Sequence, residues 1–311
     1  MSSFDTGLIP FYTTQYSANL ELLLQQKGSK LRGRVGEGMY VGKMASPVNQ
    51  IGAVSFKAPA GRFAPLDQNQ TNQLYRRWVF PQTKELQQLI DTFDQLQTIV
   101  DPKSGYATGA AYAAGREWDD EILKQTTADA KLGQDASAFT TESFDTTNAR
   151  VAVDYGSGST ATGLTVDKLI ETKRIFRHYH NDLDADPLTI IIGSKQESDL
   201  FKQSQVVSTD FNDKPVLVEG KLTRFFGFDI VVSERVPQTT VGTTRGVIAF
   251  VKSGMHLGIW KDVSTFVDQR IDLSGRPWQL YTNIMFGATR TQQFKVIQIL
   301  CADTTGADIT P

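Results

Sequence analysis

GKLTRFFGFDIVVSERVP, residues 220–237, is the most regularly patterned stretch of the chain. Phe228, Ile230 and Val232 alternate with Asp229, Val231 and Ser233, the period-two signature of a half-buried strand. Gly220 and Gly227 stand where an extended chain turns or bulges, and Pro237 closes the run. Two short strands pivoting at Gly227 are expected. No nucleophile, metal cluster or phosphate loop accompanies them, so this sheet either carries an active site built elsewhere in the chain or exists to build something.

The rest of the chain is ordinary globular text. At 311 residues it can bury a substantial core in one elaborate domain or two ordinary ones. It is 40% hydrophobic and 21% charged, and its net charge of −2 argues against a dedicated basic nucleic-acid binder. The charge is uneven: residues 1–84 carry ten basic and four acidic side chains, +6, which leaves −8 for the remainder. Such halves can attract each other between copies, or the basic residues can simply form a solvated face. The single cysteine, Cys301, lies in the apolar run FKVIQILCA, which excludes an internal disulfide and favours a buried thiol in a reducing compartment. The N-terminus lacks a signal-peptide pattern and the apolar runs are too short to span a bilayer, so a soluble cytosolic product without membrane contact is expected.

Residues 1–36 read as an arm, with a short helix in SANLELLLQQKGSK ended by Gly28. MYVGKM, GAVSFKA and LYRRWVF read as strands. The last two flank the turn-rich segment 59–73, which makes a long hairpin. A lone hairpin is marginal in water, so this one needs a partner surface, on its own domain or on a neighbour. TKELQQLIDTFDQLQTIVDP reads as an amphipathic helix stopped by Pro102. SGYATGAAYAAGREWDDEILKQTTADAK reads as one long helix with a stripe of Ala111, Ala114, Trp118 and Ile122, and its glycines suggest close packing against a sheet.

From 151 to 260 strands and helices alternate. TVDKLIETKRIFRHYHND should turn Val166, Leu169, Ile170, Phe176 and Tyr179 inward, LTIIIG should be a buried strand, and Ser194 with Glu197 resembles a capping box. Long strands return over 264–301.

The chemical readings fail on detail. Gly156, Gly158 and Ala161 in RVAVDYGSGSTATG match a dinucleotide fingerprint, but the following helix begins only after Thr165, too late for its N-terminus to meet a pyrophosphate. Gly42-Lys43 lacks a phosphate loop's first glycine, since Glu37 stands there, and Met44 replaces its Ser/Thr. His178 and His180 diverge by about 200° on a helix and cannot share a metal there. Asp119, Asp120 and Glu121 diverge likewise, with Asp120 placed to pair with Lys124. No catalytic residue, cofactor or metal site is expected.

The order of elements is more telling: arm, protruding hairpin, long helix, α/β region, returning strands. LTVDKLIETKRIF leads to LTIIIGSKQESDLFKQ and STDFN, and EGKLTRFFGFDIVVSERVP to AFVKSGMHLGIW. In order and text the chain resembles the major capsid proteins of tailed bacteriophages, the Hong Kong 97-type fold. The resemblance implies an α+β subunit with an N-terminal arm (1–36), an extended loop (37–83), a peripheral domain with a spine helix (84–150 and 261–311) and an axial domain (151–260). It implies no enzyme. It implies hexamers and pentamers in an icosahedral virion head, assembled in the host cytoplasm around double-stranded DNA contacted non-specifically. Partners would be a separate scaffolding protein, since the arm begins near the first residue, a portal, and a possible decoration protein. The extended loop would lie over the adjacent subunit, with Lys57, Arg62, Arg76 and Arg77 facing acids such as Asp119, Asp120 and Glu121 of a neighbour. An encapsulin-type compartment shell, a phage tail subunit and a nucleotide-dependent enzyme using the Gly156–Ala161 loop are the rival readings.

Overall fold

A computed structural model describes residues 25–52, 56, 58, 61–62, 74–90, 102–134, 138–203, 222–240 and 243–303. The expected arm helix falls almost wholly outside them, as do Lys57 and the polar tail.

The opening stretch lies in a sheet of seven strands: β7 (Arg150–Val151), β8 (Leu188–Ile192), β9 (Arg224–Phe225), β10 (Phe228–Val232), β11 (Gln238–Thr240), β12 (Thr244–Val251) and β15 (Val296–Ala302). Their order is β7-β15-β12-β8-β10-β9, with β11 beside β12. The pivot between β9 and β10 is a two-residue turn in which Phe226 (φ 52°) and Gly227 (φ 86°) both adopt the left-handed conformation, as tight hairpins of this hand require. β8 runs parallel to β10 and antiparallel to β12, and all five of its residues are buried. A continuous apolar run is what a strand covered on both faces needs. β15, which the sequence places with the peripheral segment, pairs along its length with β12 in this sheet.

Helices α2 (Val166–His178) and α3 (Ser194–Phe201) cover one face, burying Val166, Leu169, Ile175, Phe176 and Leu200 against Ile190, Ile230, Ala249 and Ile299. Ile170 is not among them: it is 47% exposed, and Ile175 takes the inward position. Tyr179 is half-buried and stacks on Phe294 with ring centroids 3.6 Å apart. α3 is capped one residue earlier than expected. Gly193 is its N-cap and Gln196, not Glu197, accepts from the Gly193 amide at 3.2 Å.

Lys168 also faces inward on α2 and is fully buried. Its Nζ donates to the carbonyls of Val153, Thr162, Gly163 and Leu300 at 2.8–3.0 Å. Burial lowers its pKa below the ordinary lysine value, while the four carbonyl dipoles replace the lost hydration. The glycine-rich loop is thereby tied to α2 and β15 by an ammonium that occupies its centre.

The sheet's other face packs Ile191, Val231, Ile248 and Phe250 against Trp118, Ile122, Leu257 and Phe286. The last four belong to the long helix α1 (Pro102–Thr127) and to a second sheet. That sheet has the order β1-β13-β14-β4, with β1 (Gly36–Met39), β4 (Gln82–Ile90), β13 (Met255–Gln269) and β14 (Trp278–Arg290). β4 corrects the helix expected over 83–102. Gln82 to Ile90 pair antiparallel with Phe286 to Trp278, and Leu86, Gln88 and Ile90 point inward. Leu86 and Ile90, four apart, satisfy a helical and an alternating pattern equally, and pairing with β14 decides between them. Residues 91–101 lie outside the described chain.

A third sheet, β2-β3-β5-β6, contains the root of the protruding hairpin. Its strands are β2 (Ala45–Ile51), β3 (Leu74–Val79), β5 (Ala130–Gly133) and β6 (Thr140–Glu142). The first hairpin strand is 45–51, earlier than the expected 52–58, and MYVGKM divides between β1 and a loop. The root is anchored on its own chain, because β3 also pairs with β5.

Lys168→Met should take away the ammonium shared by four carbonyls, of which those of Val153 and Thr162 keep main-chain donors, and lower subunit stability by about 3 kcal/mol. Urea denaturation checks this; an unchanged midpoint would mean that the carbonyls find other partners.

Candidate assembly interface

Helices place consecutive side chains about 100° apart, and α1 uses this at residues 119–121 to reach three different elements. Asp119, 1% exposed, accepts from the backbone amides of Lys30 and Leu31 at 2.9 and 3.2 Å and from the side chains of Gln26 and Ser29. The arm segment can lie this close because Gly115 leaves room for it: a Cβ there would stand 2.5 Å from the backbone of Gly28 and Ser29. The helix packs on the second sheet as its composition suggested, with Trp118 and Ile122 against Leu257 and Phe286, and Gly115 adds a close approach to the arm. Asp120 takes both arms of the Arg235 guanidinium, which holds Arg235 above the usual arginine range. Arg235 sits in the turn after β10, and this pairing replaces the one expected with Lys124. Glu121, buried, accepts from Gln82 at 3.1 Å and Gln125 at 2.8 Å.

The basic candidates divide by strand parity. Arg77 is 3% exposed, ion-paired to Glu142, and donates to the Arg290 carbonyl at 3.1 Å. Desolvation pushes its pKa down. Arg76 points to the opposite face, half-buried, with no ion pair among the described residues. Arg62 is exposed and Lys57 lies outside the described residues. Arg77, Asp119, Asp120 and Glu121 therefore bind partners within one chain. Of the named residues, Arg62 and Arg76 are described with charge to spare.

Arg290 carries a role that sequence reasoning missed. Its Nη1 donates to the carbonyls of Thr126 and Ala128 at 2.8 and 3.0 Å, a cation at the C-terminal end of α1 where the helix dipole favours one. Burial, and secondarily Arg77, bring its pKa down to about 10. Nothing in TRTQ announces this; its one cue is that Arg290 continues β14's inward parity. Cys301 is buried, and desolvation pushes its thiol up to about 12, which makes it unreactive.

Two groups stand out among the exposed apolar side chains. Val41, Ile51 and Phe56 lie on or beside the β2–β3 hairpin, and Leu89, Phe266 and Ile271 lie at the far end of the β4–β14–β13 sheet. Patches of this kind mark association surfaces. No group of His, Cys, Asp and Glu able to hold a metal occurs among the described residues, and none of their helices is long and apolar enough to cross a membrane.

Comparison with known proteins agrees with an assembly role. A family model described as phage capsid protein matches residues 8–303. Among solved structures, the capsid asymmetric unit of cyanophage Pam1 superposes with a TM-score of 0.73 at 10% identity, covering 99% of this chain and 100% of that one. The capsid of Ralstonia phage GP4 gives 0.70 at 10% identity over 100% of both chains. That of cyanophage P-SCSP1u gives 0.68 at 14%, over 96% and 95%. No curated protein matches.

Asp119→Ala should release residues 25–31 while leaving α1 intact, at a cost of about 2 kcal/mol. Limited proteolysis of the native subunit should then gain a cut between residues 25 and 35 that Asp120→Ala does not create.

Proposed function

The chain belongs to the phage capsid protein family, and from that premise we propose that it assembles as hexamers and pentamers into an icosahedral head enclosing double-stranded DNA. Its fold is α+β, of the Hong Kong 97 type, and its role in the virion is structural, not enzymatic. One observation carries the finer reading: the subunit pairs Arg77, Asp119, Asp120 and Glu121 within itself but leaves large apolar side chains such as Ile51, Phe56, Leu89 and Phe266 exposed. A monomer gains nothing from such surfaces, whereas a subunit surrounded by copies can bury them. The β2–β3 hairpin, with Phe56 fully exposed, is the element that would lie over an adjacent subunit. Arg76 and Arg62, with Lys57, would meet acids there. Packaged DNA, a scaffolding protein and a portal are the remaining partners of this reading, and assembly would take place in the host cytoplasm.

Negative-stain electron microscopy of the purified chain, alone and with a scaffolding protein, tests the proposal. Closed angular shells or rings of five and six are expected; a monodisperse monomer under both conditions would sink it. Within that assay, Arg76→Glu should reduce assembly with an unchanged melting temperature. Arg77→Glu should instead unfold the subunit, costing about 3–5 kcal/mol through the buried charges left unpaired.

A further inference from the structure

The outer half of β13 has an open edge. β1 pairs in parallel with β13 only from His256 to Ile259, and the Tyr40 amide makes the last bond, to the Ile259 carbonyl at 2.9 Å. Beyond an irregularity at 261–264, β13 continues to Gln269 paired only with β14 among the described residues.

Which backbone groups face that edge follows from the ladder. The Arg270 amide donates to the Pro277 carbonyl at 2.9 Å, which makes this a hydrogen-bonded position. Register then assigns 268/279, 266/281 and 264/283 to the same class. Thr265, Val267 and Gln269 are the alternate positions, whose N–H and C=O groups point away from β14. The Thr265 and Thr282 hydroxyls meet at 3.1 Å, as side chains do across the closer, non-hydrogen-bonded pairs. Three residues therefore present in a row donors and acceptors that no strand among the described residues pairs.

Exposed edges are ordinarily blunted by proline, charge or a bulge; TFVDQ, 265–269, has no proline or lysine, its one charge is Asp268, and the irregularity of β13 ends before it at Ser264. Phe266 and Val267 are 51% and 38% exposed. Phe266 also borders a shallow hollow with Gln87, Asp268, Gln279 and Tyr281, open to a partner's side chains.

We infer that residues 265–269 receive an extended strand from a second copy of this chain, which continues outward the edge that β1 closes inward. The inference rests on the capsid reading, under which a second copy adjoins every subunit. It adds main-chain hydrogen bonds, which fix register and orientation, to apolar contact between subunits.

Val267→Pro tests it, because proline is tolerated on an edge strand where the lost N–H faces outward. The variant should fold with a melting temperature within a few degrees of the wild type and form at least tenfold fewer shells. Wild-type shell yield from Val267→Pro would overturn the pairing. Hydrogen exchange on the unmodified chain gives a second reading that needs no variant. The amides of Thr265, Val267 and Gln269 should exchange fast in free subunits and be protected in shells. Shells in which they stay fast overturn the pairing alone, and a wild-type chain that forms no shells overturns the capsid reading with it. Protection that appears only when a different protein is bound assigns the edge to that protein and overturns the second-copy occupant.

Discussion

The three consecutive carboxylates of α1 hold the rest of the subunit in place. Separated by a helical step each, Asp119, Asp120 and Glu121 face the arm, the turn after β10 and the edge strand β4. A helix is the one element whose adjacent residues can address three bodies at once. With Arg290 closing its C-terminal end, α1 is bonded to the arm, the turn after β10, β4 and β14. Removing Asp119 would take the carboxylate acceptor from the amides of Lys30 and Leu31, which costs more than any single bond contributes.

Buried cations follow a common logic. Lys168 and Arg290 both give up water for backbone carbonyls, not for carboxylates. Carbonyls belong to the main chain, so each cation fixes the path of a segment as well as its distance. Lys168 does this for the very loop that imitates a dinucleotide fingerprint. Its Gly156 and Gly158 have positive φ values because the loop must turn tightly there, which explains the glycines without any cofactor.

The two strands around Gly227 and the long helix were legible from their periods, and the strand LTIIIG from its short continuous apolar run, although the helix ends at Thr127, and Ala130 and Lys131 belong to β5. TKELQQLI was not, because the spacing of Leu86 and Ile90 fits two periods, and only pairing with β14 separates them. For the candidate interface, sequence reading recognised that residues 119–121 diverge but had no means of seeing what each one meets. The cue for Lys168 was present: it lies on the stripe of Leu169, Thr172, Ile175 and Phe176, all buried, and a lysine within an inward stripe needs acceptors. Arg76 and Arg77 were grouped by charge, although adjacent strand residues necessarily point apart.

The position of β15 has a consequence for synthesis. Residues 296–302 fill the place between β7 and β12, and Ile297, Ile299 and Cys301 complete the core under α2. A ribosome delivers this strand after every described element that packs around it. A chain interrupted before that point lacks a central strand, exposes the edges of β7 and β12, and strands the Lys168 ammonium without the Leu300 carbonyl. Folding of the seven-stranded sheet is thus contingent on translation through residue 302, and products cut short before it fail to present the surfaces by which a finished subunit enters a lattice of its copies.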